Sequence, residues 1–263
     1  MKLAFIGGGA MGEAMLSCVL ASKLASPADV VVSDVSQPIL EQLKEKYGVR
    51  FTVDNLAAGR EVDVIVLAIK PQHLASVMAE LKGTMTASQL ALSIVAGATL
   101  STLTQGLGHQ AVIRTMPNTP GQIGQGMTFW IATEAVSARQ KEQARSLLSV
   151  LGKEIYADKE DYLNIATALS GSGPAYVFLM MEALIEGAVY LGMPWAAAKE
   201  AAIQTVAGSA LLAQASGKSL ADLRNQVTSP GGTTAAGLMK LEEGSVRADL
   251  ARAVIAAYER ARA

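Results

Sequence analysis

Short apolar runs alternate with amphipathic stretches through the first half of the chain. Leu3–Ile6, Val30–Val32, Val62–Ile69 and Leu90–Val95 are brief, mostly rich in β-branched residues and fenced by Gly, Pro or polar residues, which predicts buried strands. Ile113–Met116 and Gly126–Thr133 fit the same description as further strands. Between these runs, Gly12–Leu24, Gln37–Lys46, Leu74–Leu81 and Leu100–Leu107 carry helical patterning. The resulting βαβ rhythm predicts an α/β fold with a parallel sheet covered by helices on both faces.

The rhythm changes near Ala157–Asp161. From there the chain reads as helices separated by Gly and Pro: one short helix to Leu169, then Pro174–Leu191, Pro194–Ala215, a piece near Leu220–Val227, Thr233–Glu243 and Val246–Arg262. Pro174 and Pro194 stand where a first-turn proline is tolerated, and Gly192 and Gly217 where helices stop. Two domains are therefore expected, residues 1–157 and residues 158–263, the second all-helical. Its two longest helices are rich in Ala, Leu and Met with few charges. A helix that is apolar nearly all round must be covered, and a domain of roughly 100 residues has little interior to cover it with. This predicts a homo-oligomer formed through the helical domain.

Charge narrows the partners. With 22 Lys+Arg against 23 Asp+Glu and no basic block, the chain lacks the electrostatic footprint of nucleic-acid binding or adhesion to an anionic membrane. The opening Leu3–Ile6 run is too short for a secretory segment and is broken by Gly7-Gly8-Gly9. The apolar stretch Ala175–Ala198 carries Glu182, Glu186 and a Gly192-Met193-Pro194 break, so it falls short of a membrane span of about 20 uninterrupted apolar residues. Cys18 is the only cysteine, which rules out an intrachain disulfide framework and points to the cytoplasm. His73 and His109 are the only histidines, so catalysis has to run on hydroxyls, carboxylates, lysines, backbone groups or a cofactor, and no metal site is expected. A small-molecule substrate fits this profile.

The glycines give the cofactor. Gly7-Gly8-Gly9-Ala10-Met11-Gly12 follows the first strand and opens the first helix, the context that makes this spacing a dinucleotide-binding fingerprint of the Rossmann type. Gly7 permits the tight turn, Gly9 lets the backbone approach a pyrophosphate, and Gly12 lets helix and strand pack closely; Ala10 and Met11 supply N–H groups at the positive helix end. The alternative is a glycine-rich turn with no ligand. Asp34 ends the second strand about twenty residues after Gly12, the offset of an acid that holds the adenosine ribose, and no Arg follows to hold a 2′-phosphate. The alternative is a helix N-cap, with Ser36 or Asp34 starting the next helix. Ala68-Ile69-Lys70-Pro71 and Val95-Ala96-Gly97 end later strands, at the edge where open α/β sheets place their ligands, and Asn55 lies in a neighbouring loop.

In the second half, Ser170-Gly171-Ser172-Gly173-Pro174-Ala175 and Thr228-Ser229-Pro230-Gly231-Gly232-Thr233-Thr234 each place small hydrogen-bonding residues at a helix mouth. Two such mouths can grip a carboxylate without Arg or Lys. The bland reading is a pair of ordinary caps and turns.

These segments, with Met116-Pro117-Asn118-Thr119-Pro120, Ile69-Lys70-Pro71 and Ile94-Val95-Ala96-Gly97 in the same order, make the chain resemble the pyrroline-5-carboxylate reductases, which produce proline. The resemblance implies an N-terminal Rossmann-type parallel sheet followed by an all-helical dimerisation domain, a homodimer and often a ring of dimers. It implies NADPH or NADH at Gly8–Gly12, Ser33, Asp34, Asn55, Ala68–Pro71 and Ala96-Gly97. It places the ring substrate between Ser170, Gly171, Ser172 and Gly173 of one subunit and Gly231, Gly232, Thr233 and Thr234, with Thr234 as proton donor or substrate anchor. Two departures stand out: Ser219-Leu220 where the family commonly has His-Pro, and Asn225 where it has an acid. A β-hydroxyacid dehydrogenase shares the domain plan but needs a lysine early in the helix after Gly173, where this chain has Pro174-Ala175-Tyr176-Val177-Phe178-Leu179. A dinucleotide sensor without turnover would carry the same glycine fingerprint.

Overall fold

The apolar runs become the centre of a sheet. The computed structural model describes residues 1–262, in the order β1 (Leu3–Ile6), α1 (Ala10–Ala21), β2 (Val30–Ser33), α2 (Gln37–Tyr47), β3 (Arg50–Thr52), α3 (Asn55–Gly59), β4 (Val64–Leu67), α4 (Leu74–Leu81), β5 (Leu90–Ser93), α5 (Leu100–Leu107), β6 (Val112–Met116), β7 (Gly126–Ala132), α6 (Ala138–Ser149), β8 (Gly152–Tyr156) and α7 (Asp161–Ala166), followed by helices only. The strand order is β3-β2-β1-β4-β5-β6-β7-β8. Every residue of β1, β2, β4 and β5 is buried, so these strands are continuous apolar runs rather than alternating ones. Alternate side chains of β1 point to opposite faces: Leu3 and Phe5 join a core with Met15, Leu16, Ile113 and Trp130, while Ala4 and Ile6 join Ile65, Leu67, Met78 and Leu103.

The first six strands are parallel, and β7 reverses direction against β6, pairing Met116 with Phe129 and Ile113 with Ala132. A parallel crossover takes a dozen or more residues, and the single 3-10 turn Thr119–Ile123 between β6 and β7 leaves room only for a hairpin-like return. Strand β8 then pairs parallel to β7 through the crossover helix α6, which opens on a reciprocal Ser137–Gln140 capping box.

Contacts divide the chain into a first unit, Met1–Ser172 with the residues from Ala257 on, and a second, Gly173–Ala256. The strand pattern ends at Tyr156, yet the first unit continues through α7 because that helix is tied to the sheet. The buried Arg114 guanidinium on β6 donates to Glu160 Oε1 and to Asn164 Oδ1, both at 2.9 Å. Glu160 Oε1 also accepts the Leu100 N–H at 2.7 Å, which caps α5. The Tyr258 hydroxyl donates to Asp161 Oδ2 at 2.6 Å; this bond holds the Asp161 carboxyl below its ordinary range and pushes the Tyr258 phenol up. A π-helical turn, Thr167–Gly171, ends this part of the unit.

The second unit comprises α8 (Gly173–Tyr190), α9 (Trp195–Ser216), α10 (Leu220–Gln226), α11 (Thr233–Glu243) and most of α12 (Val246–Arg262). Helices α8 and α9 pack together, but Phe178, Leu179, Leu211 and Leu212 are each more than half exposed. The run Asp161–Tyr190 is long and apolar enough, by length and composition alone, to cross a membrane. Such a surface needs a cover.

Removing one partner of the Arg114 pair should be costly. Glu160→Ala is expected to lower stability by about 3 kcal/mol, since it leaves a buried guanidinium half-satisfied. Glu160→Gln, which keeps an acceptor for both donors, should lose less; urea midpoints at constant slope separate the two.

Candidate active site

The turn after β1 is built by backbone proximity. Gly7 has φ +107°, and a Cβ there would stand 2.5 Å from the Ala68 carbonyl oxygen after β4. Its N–H donates to the Ser33 carbonyl at the end of β2, so the turn is held between the two neighbouring strands. A Cβ at Gly12 would overlap the Gly7 carbonyl oxygen, which makes a side chain incompatible with the approach of α1 to β1. Gly9 is the opposite case: it caps α1 with no side-chain bond, is exposed, and a Cβ there would meet nothing within 4 Å. This is the geometry a pyrophosphate needs, with Ala10 and Met11 opening the helix beside it. The residues present therefore fit a dinucleotide.

Asp34 lies at the end of β2 beside that turn. Its Oδ2 accepts the Gly8 N–H at 2.8 Å and its Oδ1 the Ser36 N–H at 2.9 Å. The carboxylate thus faces the glycine loop and holds the turn into α2, whose N-cap is Ser36 rather than Asp34. Neighbouring Ser33 is buried and donates to Asn55 Oδ1 at 2.7 Å, while Asn55 Nδ2 donates to Glu80 Oε2 at 2.7 Å. Asn55 is fixed from both ends, and Glu80, which the sequence did not single out, adds a second acid to this side. Farther along α1, Glu13 accepts from Lys46 at 2.7 Å and from Tyr47 at 3.0 Å. The Lys46 bond chiefly holds the Glu13 carboxyl below its ordinary range, and Glu13 in turn raises Lys46.

The other expected cofactor residues sit at the same C-terminal strand edge. Ala68 and Ile69 are half-buried after β4, Lys70 and Pro71 are exposed, and Ala96 and Gly97 are exposed after β5, Gly97 with φ +76°. Ser93 below them is buried and its carbonyl accepts the Thr115 hydroxyl at 3.2 Å.

The segment Ser170–Gly173 leads into α8, which opens at Gly173 as expected, but Ser170 and Gly171 themselves belong to a π-turn. Asp161–Tyr190 is one helical run interrupted by the π-turn, in which the Ser172 N–H donates to the Thr167 carbonyl at 2.8 Å and the Ser170 hydroxyl to the Ala166 carbonyl at 2.9 Å. Glycines at 171 and 173 and the missing N–H of Pro174 loosen the ladder enough to admit the extra residue. The Ser172 hydroxyl has no side-chain bond among the described residues. At the second segment the expectation holds: Gly231 has φ +69°, Gly232 caps α11 without a side-chain bond, and Thr233 and Thr234 form its first turn. A Cβ at Gly232 would collide with Ser229 Oγ. The Thr234 hydroxyl is free of partners among the described residues.

The contrast between two glycines is testable. Gly9→Ala should fold with an unchanged melting temperature and bind NADH at least about tenfold more weakly, because its methyl meets only the ligand. Gly12→Ala should lose about 1–3 kcal/mol of stability as α1 is forced off β1. Thermal unfolding and nicotinamide fluorescence titration read the two effects separately.

Comparison with known proteins gives a consistent answer. Residues 160–263 match a family model described as pyrroline-5-carboxylate reductase dimerisation, and residues 2–97 one described as NADP oxidoreductase, coenzyme F420-dependent. A pyrroline-5-carboxylate reductase of Synechocystis is 40% identical over 260 residues, covering 99% of this chain and 97% of the relative. The structure of a pyrroline-5-carboxylate reductase from Coxiella burnetii superposes with a TM-score of 0.92 at 39% identity, covering 99% of this chain and 97% of that one. A Plasmodium falciparum pyrroline carboxylate reductase with NADP bound gives 0.91 at 30% identity, covering 100% and 97%. With 40% identity to a pyrroline-5-carboxylate reductase over nearly the whole of both chains, and a dimerisation-region match from residue 160 onward, the chain belongs to the pyrroline-5-carboxylate reductase family.

Proposed function

We propose that the chain reduces 1-pyrroline-5-carboxylate to L-proline with NAD(P)H, the last step of proline biosynthesis. The observation that carries this reading is the whole-length likeness to pyrroline-5-carboxylate reductases combined with an intact dinucleotide cradle. The cofactor supplies a hydride from its nicotinamide C4. Everything else falls to the chain: holding the two reactants in line and managing one proton.

A cyclic imine is electrophilic once its nitrogen is protonated, so little acid–base machinery is required, which suits a site with no histidine. The hydride goes to the imine carbon, which becomes C5 of proline, and the ring nitrogen keeps its proton. In this reading the Thr234 hydroxyl, or a water it positions, hydrogen-bonds the ring nitrogen. The N–H groups and hydroxyls of Ser170–Gly173 and Gly231–Thr233 hold the carboxylate, and the partial positive charge at the start of α11 favours the anion. Gly8–Gly12, Ser33, Asp34, Asn55, Ala68–Pro71 and Ala96-Gly97 are the proposed dinucleotide contacts.

The exposed apolar faces of α8 and α9 are assigned to a second copy of the chain rather than to lipid, because the matched dimerisation region spans them. The proposed assembly is a homodimer able to build a ring of dimers, working in the cytoplasm without membrane or nucleic-acid partners.

Purified protein mixed with pyrroline-5-carboxylate and either NADH or NADPH should consume the reduced nicotinamide, with none lost when imine is omitted or a hydroxyacid replaces it. Nucleotide binding without turnover would instead favour a sensor. Asp34 should make NADH the better donor, since a carboxylate beside the ribose repels a 2′-phosphate; Asp34→Ser should shift the ratio of kcat/KM toward NADPH by about tenfold or more. Thr234→Ala should lower kcat by about a hundredfold if its hydroxyl serves the ring nitrogen, and unchanged kinetics would remove it from the mechanism.

A further inference from the structure

Pro174 has no N–H, so the Ser170 carbonyl lacks the donor that would stand four residues ahead in a regular helix. Asn118 supplies one. Its Nδ2 donates to the Ser170 carbonyl at 3.0 Å, and its Oδ1 accepts the Met127 N–H at 2.8 Å. Because Met127 offers a donor, the amide orientation is fixed: oxygen toward β7, nitrogen toward the π-turn. Asn118 stands at the head of the 3-10 turn Thr119–Ile123, where an asparagine ordinarily caps its own turn, yet it makes no such cap bond. Its side chain is spent on a segment far away in sequence. Next to it, Met116 at the end of β6 packs so tightly on the π-turn that a Cβ at Gly171 would lie 2.9 Å from Met116 Cε.

We propose that Asn118 is a positioning residue for hydride transfer. It stands at the C-terminal edge of β6, on the strand edge where an open α/β sheet holds its dinucleotide, and it grips the turn that carries Ser170–Gly173. Through the Ser170 carbonyl it sets the depth at which those imine contacts stand over the nicotinamide. Asn118 touches neither reactant in this account; it acts by keeping the π-turn from relaxing. The inference rests on the reductase reading above.

The test compares wild type with Asn118→Asp, which keeps the acceptor for Met127 but turns a second acceptor toward the Ser170 carbonyl. Single-turnover decay of NADH absorbance at saturating imine should slow by about tenfold to a hundredfold, the scale on which small misplacements act. NADH affinity by fluorescence titration should stay within about twofold, since the glycine turn is untouched. A chemical step as fast as wild type would overturn the proposal, and so would a loss of rate matched by an equal loss of NADH affinity. Should Asn118→Asp fail to fold, Asn118→Ala, which removes both bonds without adding charge, is read by the same two numbers. Absence of imine turnover in the wild type would overturn the reductase reading itself, a result distinct from a wild type that turns over and a variant that matches it.

Discussion

Gly12 has no room for a side chain unless α1 moves off β1, and much of the first unit follows from that. The α1 backbone lies against the Gly7 carbonyl, Gly7 lies against Ala68 and Ser33, and so one turn locks β1 to both of its neighbours, β2 and β4. With β1 in the middle, the chain must run outward to β3 on one side and to β5 on the other, which opens the crevice at the strand ends. The same close packing aims the first N–H groups of α1 at open space above Gly9. Fold and proposed dinucleotide site are thus one constraint seen from two sides.

The second constraint is the buried charge of Arg114. A guanidinium inside the sheet's flank has to be satisfied, and Glu160 and Asn164 do so from the helix that leaves the sheet. Glu160 uses the same oxygen to cap α5, immediately after the Ala96-Gly97 loop. One carboxylate therefore fixes the helix following a proposed nicotinamide contact and the helix leading to the proposed substrate turn.

Which of these features the sequence disclosed depends on how each is stabilised. Strands β1, β2, β4 and β5 are buried on both faces, so burial wrote continuous apolar runs, and the glycine spacing is legible because backbone contact excludes every other residue. Strand β3 is three residues with none buried, β8 is Gly-Lys-Glu-Ile-Tyr on an outer edge, and α6 is mostly polar; none leaves a long periodic signal. The reversal of β7 is invisible because an apolar run has no direction. The density of glycine around Pro174 reads as a helix start, and α8 does open at Gly173; the π-turn Thr167–Gly171 just before it left no signal of its own. The Asn118 bond to Ser170 has one trace in the sequence: a proline that leaves a carbonyl in need of a donor. Glu80 carries no sequence signal, because its link to the strand edge is a tertiary bond from Asn55.

The two outer strands bear on how copies of this chain can meet. At one border β3 is short, with Arg50 exposed and Lys44 lying over Phe51 at 5.3 Å; at the other, β8 carries exposed Lys153, Glu154 paired to Arg145 at 3.3 Å, and Lys141 over Tyr156 at 5.4 Å. Charges and brevity at open borders discourage the backbone-to-backbone addition of another sheet. Sticky surface is concentrated instead on the Ala- and Leu-rich helices of the second unit, where side chains rather than peptide groups decide the fit. Self-association is thereby steered away from edge-to-edge ribbons of sheet and toward contacts between helices.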